Sequence, residues 1–396
     1  MTTNNIEKRK RRLPPNISFP LFFLIGFGCW GTVNSYWPVY FNSFSYSNTQ
    51  IGILSAVGPF AALFGLTFWG ARADRSRYRN NALLVICVIL GAVSMLYLLN
   101  GAFFYTFALS VVFMFCYYPM TPVGDAMFLE YAQGGKISFA KGRVWGSIGL
   151  ALLPLLPGLV IARWGIRSLF SSYLALILLA IIIVLQLPKM SGGQSGKTKK
   201  ASIWDLRKDK EIVGLMCFLF PLFVIVGFYY SFFPVYMENL GATNLIGLNN
   251  MAQFAPEIIL VFVVVPAVRR FGFARMFVLA FALTAARMLF IGIISSPMLL
   301  IAVNLIGGVG YSLCMILSMF FVLRAPEELR TSAQMLNIIV AHSISRFIGS
   351  ILGGALSDAI GIPAVFLGAG LFSFLLLAGF MLWLRKTGSL RDPILM

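Results

Sequence analysis

Six charged residues stand in or beside stretches that are otherwise apolar: Asp125, Glu130, Arg143, Glu257, Arg287 and Arg346. A charge placed in lipid costs roughly 2.5–3.5 kcal/mol on insertion scales, so such residues are kept for a partner or for function. Asp125 and Arg143 lie 18 residues apart, on either side of a polar turn. Arginine presents five donors in a planar fork. The pair therefore reads either as a structural ion pair across a helical hairpin or as a guanidinium that holds an anionic or hydroxyl-rich substrate, with Asp125 as co-ligand. Glu130 is nearer the loop and reads as an inner-gate or solvated position. Asn250, Gln253 and Glu257 are spaced i, i+3, i+7, which puts them on one helix face, and a polar stripe on a membrane-crossing helix faces a cavity. Glu257 has no basic residue within a turn. A carboxyl removed from water without a cation beside it binds a proton more readily, the chemistry of a proton carrier, with Arg287 on the next helix or Arg346 further on as partner. His342, the single histidine, stands i, i+4 from Arg346. It reads as a titrating imidazole or as a hydrogen-bonded core residue. Asn34, Asn304 and Tyr229 are candidate cavity polars. Trp30, Trp145 and Tyr118 offer faces that stack on a sugar or aromatic ring, or else pack and anchor at the membrane interface.

The elements that carry these residues are membrane helices. The chain has 396 residues, 59% hydrophobic and 11% charged, with a mean hydropathy of +0.87, whereas a soluble domain is about a quarter charged. Apolar runs long enough to span a bilayer recur at 18–43, 48–71, 81–99, 102–130, 139–162, 166–187, 211–237, 244–268, 273–294, 297–323, 331–358 and 362–384. The expected fold is an all-α membrane protein of twelve transmembrane helices. The net charge of +18 is distributed as a topology signal: 27 of the 31 Lys and Arg fall in alternate connections and the two tails, and only Arg163 and Arg167 in the others. Basic loops stay on the cytoplasmic side, so both termini are expected to be cytoplasmic in a plasma (inner) membrane, with no nucleic-acid partner. The basic N-terminal tail is read as leading into a retained first span, because the apolar run is long and no small-residue site closes it. The five cysteines lie in apolar segments without a CxxC pair and read as small core residues. No metal cluster, nucleotide-binding loop or nucleophile–base pair is present in the sequence, so no cofactor, no metal and no enzymatic activity are expected.

The polar stretch between the sixth and seventh spans divides the chain into an N-terminal half (1–187), a linker (188–210) and a C-terminal half (211–396). The halves echo one another: "YWPVYFNS" at 36–43 matches "FFPVYMEN" at 232–239, and "IGI" at 51–53 matches "IGL" at 246–248. "RVWGSI" at 143–148 is a weaker echo of "RFIGSI" at 346–351. Two pseudo-symmetric six-helix bundles are the architecture of a carrier.

The connection "GARADRSRYR", Gly70 to Arg79, resembles the G-x-x-x-D-R-x-G-R-R/K signature of the major facilitator superfamily at Gly70, Asp74, Arg75 and Arg79. The resemblance implies an inner gate, with Gly70 permitting close helix approach and Asp74 facing the positive N-terminus of a neighbouring helix. Most of the chain is similar to the branch that holds lactose permease, nucleoside–proton symporters and 3-phenylpropionate permease. "FAKGRVWGSIG" resembles its fifth-helix opening. The Glu257–Arg287 region resembles its eighth and ninth helices, and Asp125 and Arg143 share the spacing of the permease's sugar-site Glu and Arg. Gly307 and Gly310 stand where that permease carries a His and a Glu, and Leu150 stands at its sugar-stacking Trp. The combined expectation is a monomeric, proton-coupled symporter of a small polar solute working by alternating access. A sugar or glycoside is the first choice. Nucleoside or aromatic-acid uptake, for which Arg143, Arg287 and Arg346 offer guanidinium groups to a carboxylate with Arg346 read as a substrate-binding residue, and proton-driven drug efflux are the alternatives among carriers, and a membrane sensor or intramembrane enzyme is the alternative outside them.

Overall fold

The computed structural model describes residues 13–133, 138–191, 209–322 and 330–388. The described residues are almost entirely helical. The first group comprises α1 (Pro15–Asn42), α2 (Asn48–Arg75), α3 (Arg79–Leu96), α4 (Phe103–Gln133), α5 (Phe139–Leu152), α6 (Leu155–Trp164) and α7 (Ser168–Gln186). The second comprises α8 (Lys210–Asn239), α9 (Ile246–Phe271), α10 (Phe273–Ile293), α11 (Pro297–Val322), α12 (Arg330–Ile338), α13 (Ser345–Ile360) and α14 (Ile362–Thr387). Eleven crossing segments are long and apolar enough to span a membrane, and the bent α9 makes a twelfth.

Local chemistry sets the boundaries. Ser47 and Gln50 close a reciprocal capping box at the start of α2, satisfying two of the orphan N–H groups there. Asp209 accepts from the N–H groups of Glu211 and Ile212 to start α8. Gly272 and Gly361, at φ of 84° and 83°, make the sharp turns into α10 and α14, a conformation that side chains with a Cβ resist.

Three predicted spans are not continuous helices. The 139–162 span breaks between α5 and α6 at Pro154, which has no N–H to continue the ladder. The 244–268 span bends by 64° between Leu260 and Phe262, where Pro266 within α9 cannot donate to the turn before it. The 331–358 span carries a π-helical turn at Ile339–Ile344.

Within the first group α1 packs on α5 and α7; within the second α8 packs on α13, and α10 on α14 and α11. Small residues permit the closest approaches, as expected where lipid supplies no hydrophobic drive between helices. A Cβ on Gly149 would sit 2.0 Å from the backbone oxygen of Leu24, and one on Gly349 would sit 2.1 Å from that of Val224. These two glycines lie on α5 and α13, which carry the weaker sequence echo and play equivalent roles against α1 and α8.

Candidate functional site

Among the described residues, the two groups are hydrogen-bonded to one another at one end. There the carboxylate of Asp358 accepts from the N–H groups of Asn48 and Thr49 at 2.8 and 2.9 Å and from the Thr49 hydroxyl at 2.6 Å. Asn42 donates to Glu238 at 2.9 Å. Deeper in, Ser35 Oγ donates to Asn250 Oδ1 at 2.9 Å, and Asn250 Nδ2 donates to the Leu150 carbonyl at 2.7 Å. Glycines bring the backbones together: Cβ atoms on Gly52 and Gly354 would meet the carbonyls of Ser350 and Asn48 at 2.3 and 2.5 Å. Asn42 and Glu238 occupy equivalent positions of the main sequence echo, so the repeat closes on itself. Among the described residues, every hydrogen bond between the groups lies on this side. None joins them at the opposite end, where Arg72, Arg75, Arg269, Arg270, Arg385 and Lys386 lie.

Beneath the closed end, two adjoining cavities lie between the groups. One, about 510 Å³ counting the space open to solvent, is lined by Trp30, Trp37, Tyr117, Tyr118, Tyr230 and Arg346 among others. The second, about 270 Å³, is lined by Asn34, Ser35, Tyr229, Asn249, Asn250 and Gln253 with a few apolar neighbours. Asn34 and Tyr230 line both. The first is thus an aromatic lobe with one guanidinium, the second a lobe of amides and hydroxyls.

A buried network fixes the second lobe. Tyr229 donates to Gln253 Oε1 at 2.9 Å, Gln253 Nε2 donates to Tyr230 at 2.6 Å, and Asn249 Nδ2 donates to Tyr229 at 3.4 Å. Asn304 Nδ2 donates to Asn249 Oδ1, and Arg287 Nε to Asn304 Oδ1, both at 2.8 Å. The guanidinium of Arg287 lies 3.5 Å from the centre of the Tyr229 ring. Gly307 supplies the slot for this arginine, since a Cβ there would stand 2.0 Å from Arg287 Cδ. Side chains fixed this way pre-organise the lobe.

Nearer the open end, Arg143 Nε lies 3.0 Å from Asp125 Oδ1, with the guanidinium 3.9 Å from the centre of the Phe27 ring. Each side chain is about one-third exposed, 34% and 32%. Glu257 is half-buried, in no ion pair among the described residues, and within electrostatic range of Arg143 and Tyr311.

The structure brings some of the residues singled out from the sequence together and separates others. Asn34, Trp30, Tyr118, Tyr229, Gln253 and Arg346 line the lobes. Asn304 lies behind them, fully buried. Trp145 lines neither lobe and is 44% exposed, because Gly142, Gly146 and Gly149 take the face of α5 that packs on Phe128, Phe27 and Leu24. Glu257 does not pair with Arg287 or Arg346: the first is held by Asn304 and Tyr229, and the second lies 4.0 Å from the centre of the Tyr230 ring. His342 falls in the π-helical turn, and its side chain lies outside the described residues. Gly70 has nothing within 4 Å of where its Cβ would be, since the groups are apart at this end. Asp74 is bound by Arg79 at 2.9 Å rather than by a helix N-terminus, and the same guanidinium reaches Glu130; Arg75 is exposed. Ser35, Asn249 and Asp358 also belong to the site, though the sequence does not single them out. The Asn249–Asn250 doublet and an acid near the end of a span were the available signals.

A maltose permease of Geobacillus stearothermophilus is 24% identical over 354 residues, covering 88% of this chain and 89% of that protein. The sucrose permease of Escherichia coli is 20% identical, covering 96% of this chain and 94% of that protein. Among solved structures, the nucleoside transporter NupG matches with a TM-score of 0.82 at 16% identity, over 93% of this chain and 99% of that one. An inward-facing, occupied bacterial homologue of the lysosomal transporter Spinster matches with a TM-score of 0.71 at 14% identity, over 96% and 99%. These likenesses establish the fold: a multi-pass membrane protein of the major facilitator type, with the two-bundle helical architecture. The family model described as "MFS_1 like family" matches residues 16–367, and the chain accordingly belongs to that family of secondary transporters and is not an enzyme.

Proposed function

We propose that the protein is a proton-coupled symporter that takes up a saccharide by alternating access, with both termini in the cytoplasm of a plasma membrane. The observation that carries this reading is the two-lobed cavity between the bundles: aromatic faces beside neutral amides and hydroxyls are the chemistry that recognises a polyhydroxylated ring. The permeases for maltose and sucrose among its relatives support the same class. With the basic loops inside, the closed end is extracellular and the open end cytoplasmic, an inward-open state. Asn34, Trp30, Tyr118, Tyr229, Gln253 and Arg346 contact the solute. Asn304 and Arg287 hold the amide lobe in place behind them. Glu257, half-buried and without an ion-pair partner among the described residues, carries the proton. The Asp125–Arg143 pair lines the exit, and Arg79, with Asp74 and Glu130, belongs to the inner gate. The linker 188–210 joins two bundles that rock about the cavity.

The test is uptake of radiolabelled maltose and sucrose into proteoliposomes under an imposed pH gradient, inside alkaline. Accumulation that collapses with a protonophore supports symport. Downhill equilibration indifferent to the gradient removes the proton coupling, and outward pumping reverses the direction.

A further inference from the structure

The aromatic lobe contains a buried cation that no acidic side chain among the described residues neutralises. Arg346 is 8% exposed and lines that lobe, and it joins none of the ion pairs among the described residues. Its Nε has no partner; its guanidinium lies 4.0 Å from the centre of the Tyr230 ring, within electrostatic range of the neutral Tyr311 hydroxyl. Arg143 is a useful contrast, the same side chain more exposed yet paired with Asp125 at 3.0 Å. A second cation, Arg287, is 2% exposed, has both terminal nitrogens unpartnered, and stands behind Tyr229. No acidic side chain lines either lobe among the described residues. A buried charge without a counter-charge is costly. Ring faces and neutral hydroxyls offset only part of that cost. A negative group on the solute offsets the rest.

The neighbouring lobe is neutral, its amides and tyrosine hydroxyls arranged to meet hydroxyl groups. The side chain of Asn34, at the junction of the two lobes, joins no hydrogen bond among the described residues and keeps its full donor and acceptor capacity. Resting on the saccharide-carrier reading above, we propose that the solute is an acidic saccharide. A carboxylate-bearing sugar ring stacks in the aromatic lobe with its carboxylate on Arg346, and its hydroxyls, or those of a second ring, reach Asn34 and the amide lobe. Arg346 is then the residue that sets specificity for charge, and a neutral sugar leaves it unpaired.

The experiment compares two probes that differ only at C6: p-nitrophenyl glucoside, with a hydroxymethyl group, and p-nitrophenyl glucuronide, with a carboxylate, each as α and β anomers. Binding to the purified full-length protein is measured by calorimetry, and uptake of the tighter probe is measured in proteoliposomes. The glucuronide is expected to bind about tenfold or more tightly than the glucoside, the range for a hydrogen bond to a charged group. That preference is expected to fall to near unity in Arg346→Gln and to be partly kept in Arg346→Lys, which retains the charge. Should Arg346→Gln fail to fold, competition in the wild-type protein decides: free glucuronate displaces bound glucoside where free glucose at the same concentration does not. Equal or tighter binding of the glucoside overturns the acidic-saccharide assignment and leaves a neutral-sugar carrier standing. A glucuronide preference that survives Arg346→Gln overturns the role of this arginine. Failure of both probes and of maltose and sucrose overturns the saccharide reading together with the proposal.

Discussion

The carboxylate of Asp358, two residues before the end of α13, caps the N-terminus of α2 in the opposite bundle, taking the N–H groups of Asn48 and Thr49 at 2.8 and 2.9 Å. An anion at a helix N-terminus satisfies orphan donors and complements the helix dipole. The contact joins the two bundles at the closed end, so in the alternating-access cycle proposed above it stabilises this state against the one open on that side. A capping side chain contributes about 1 kcal/mol, which corresponds to about a five-fold shift in a two-state equilibrium. Asp358→Ala is therefore expected to raise the outward-open population by about that factor. The check is the rate at which an impermeant maleimide, added outside, labels a cysteine placed at Ser55 in the aromatic lobe, with native cysteines replaced. An unchanged labelling rate removes Asp358 from the gate.

Gly307 gives Arg287 its place, and the two are expected to couple. Gly307→Ala puts a methyl 2.0 Å from Arg287 Cδ, and overpacking of this kind costs typically about 1–3 kcal/mol. The variant is expected to lower the melting temperature in detergent and weaken solute binding, because the displaced Arg287 pulls Asn304 and Asn249 from the amide lobe. In an Arg287→Ala background the same change is expected to cost almost nothing in stability. A double-mutant cycle with no coupling would contradict the slot assignment.

Arg143 is held by a carboxylate on one side and an aromatic face on the other. Lysine has no fork and a more strongly hydrated head, so it replaces neither contact well. Arg143→Lys is expected to slow net uptake by about an order of magnitude, while Arg143→Lys with Asp125→Glu recovers little, since the ring contact with Phe27 is still lost. Initial rates in proteoliposomes check this. Full activity of Arg143→Lys would reduce the pair to a structural bridge.

Glu257 is expected to separate exchange from accumulation. Glutamine keeps the shape and cannot release a proton. Glu257→Gln should abolish accumulation driven by a pH gradient and leave solute counterflow, which needs no net proton movement, near the wild-type rate. Uptake by the variant should also become insensitive to external pH across the range in which the wild-type responds. Gradient-driven accumulation that persists in the variant assigns the proton elsewhere.

Twelve spans, their orientation signal, the two halves and the major facilitator resemblance are all local properties. They depend on runs of about 20 apolar residues, on where Lys and Arg fall between them and on a repeated octet, and a linear reading recovers such features. The Asp125–Arg143 pair was legible for the same reason: two charges flanking one hairpin have few other places to go. Breaks at Pro154 and near Pro266 were written in the sequence as prolines, but proline inside an apolar run marks only a possible kink, as the unbroken α1 and α8 with their internal prolines demonstrate.

What only the tertiary structure decided is which of several identical residue types stay unpaired. Arg143, Arg287 and Arg346 are equivalent in sequence terms, each an arginine in an apolar helix. Packing gives the first a carboxylate, the second an asparagine and a tyrosine ring, and the third a cavity. Glu257 was expected to meet one of two arginines and meets neither, because partners across helices are set by rotation and depth of each helix and not by spacing along it. The same holds for Asp358, whose role depends on a glycine-lined contact between bundles more than 300 residues apart in the chain. The sequence by itself determined a helical carrier whose basic residues gather in alternate connections. Three-dimensional packing determined which end is closed, where the cavity lies, and which buried charge is left for a solute to answer.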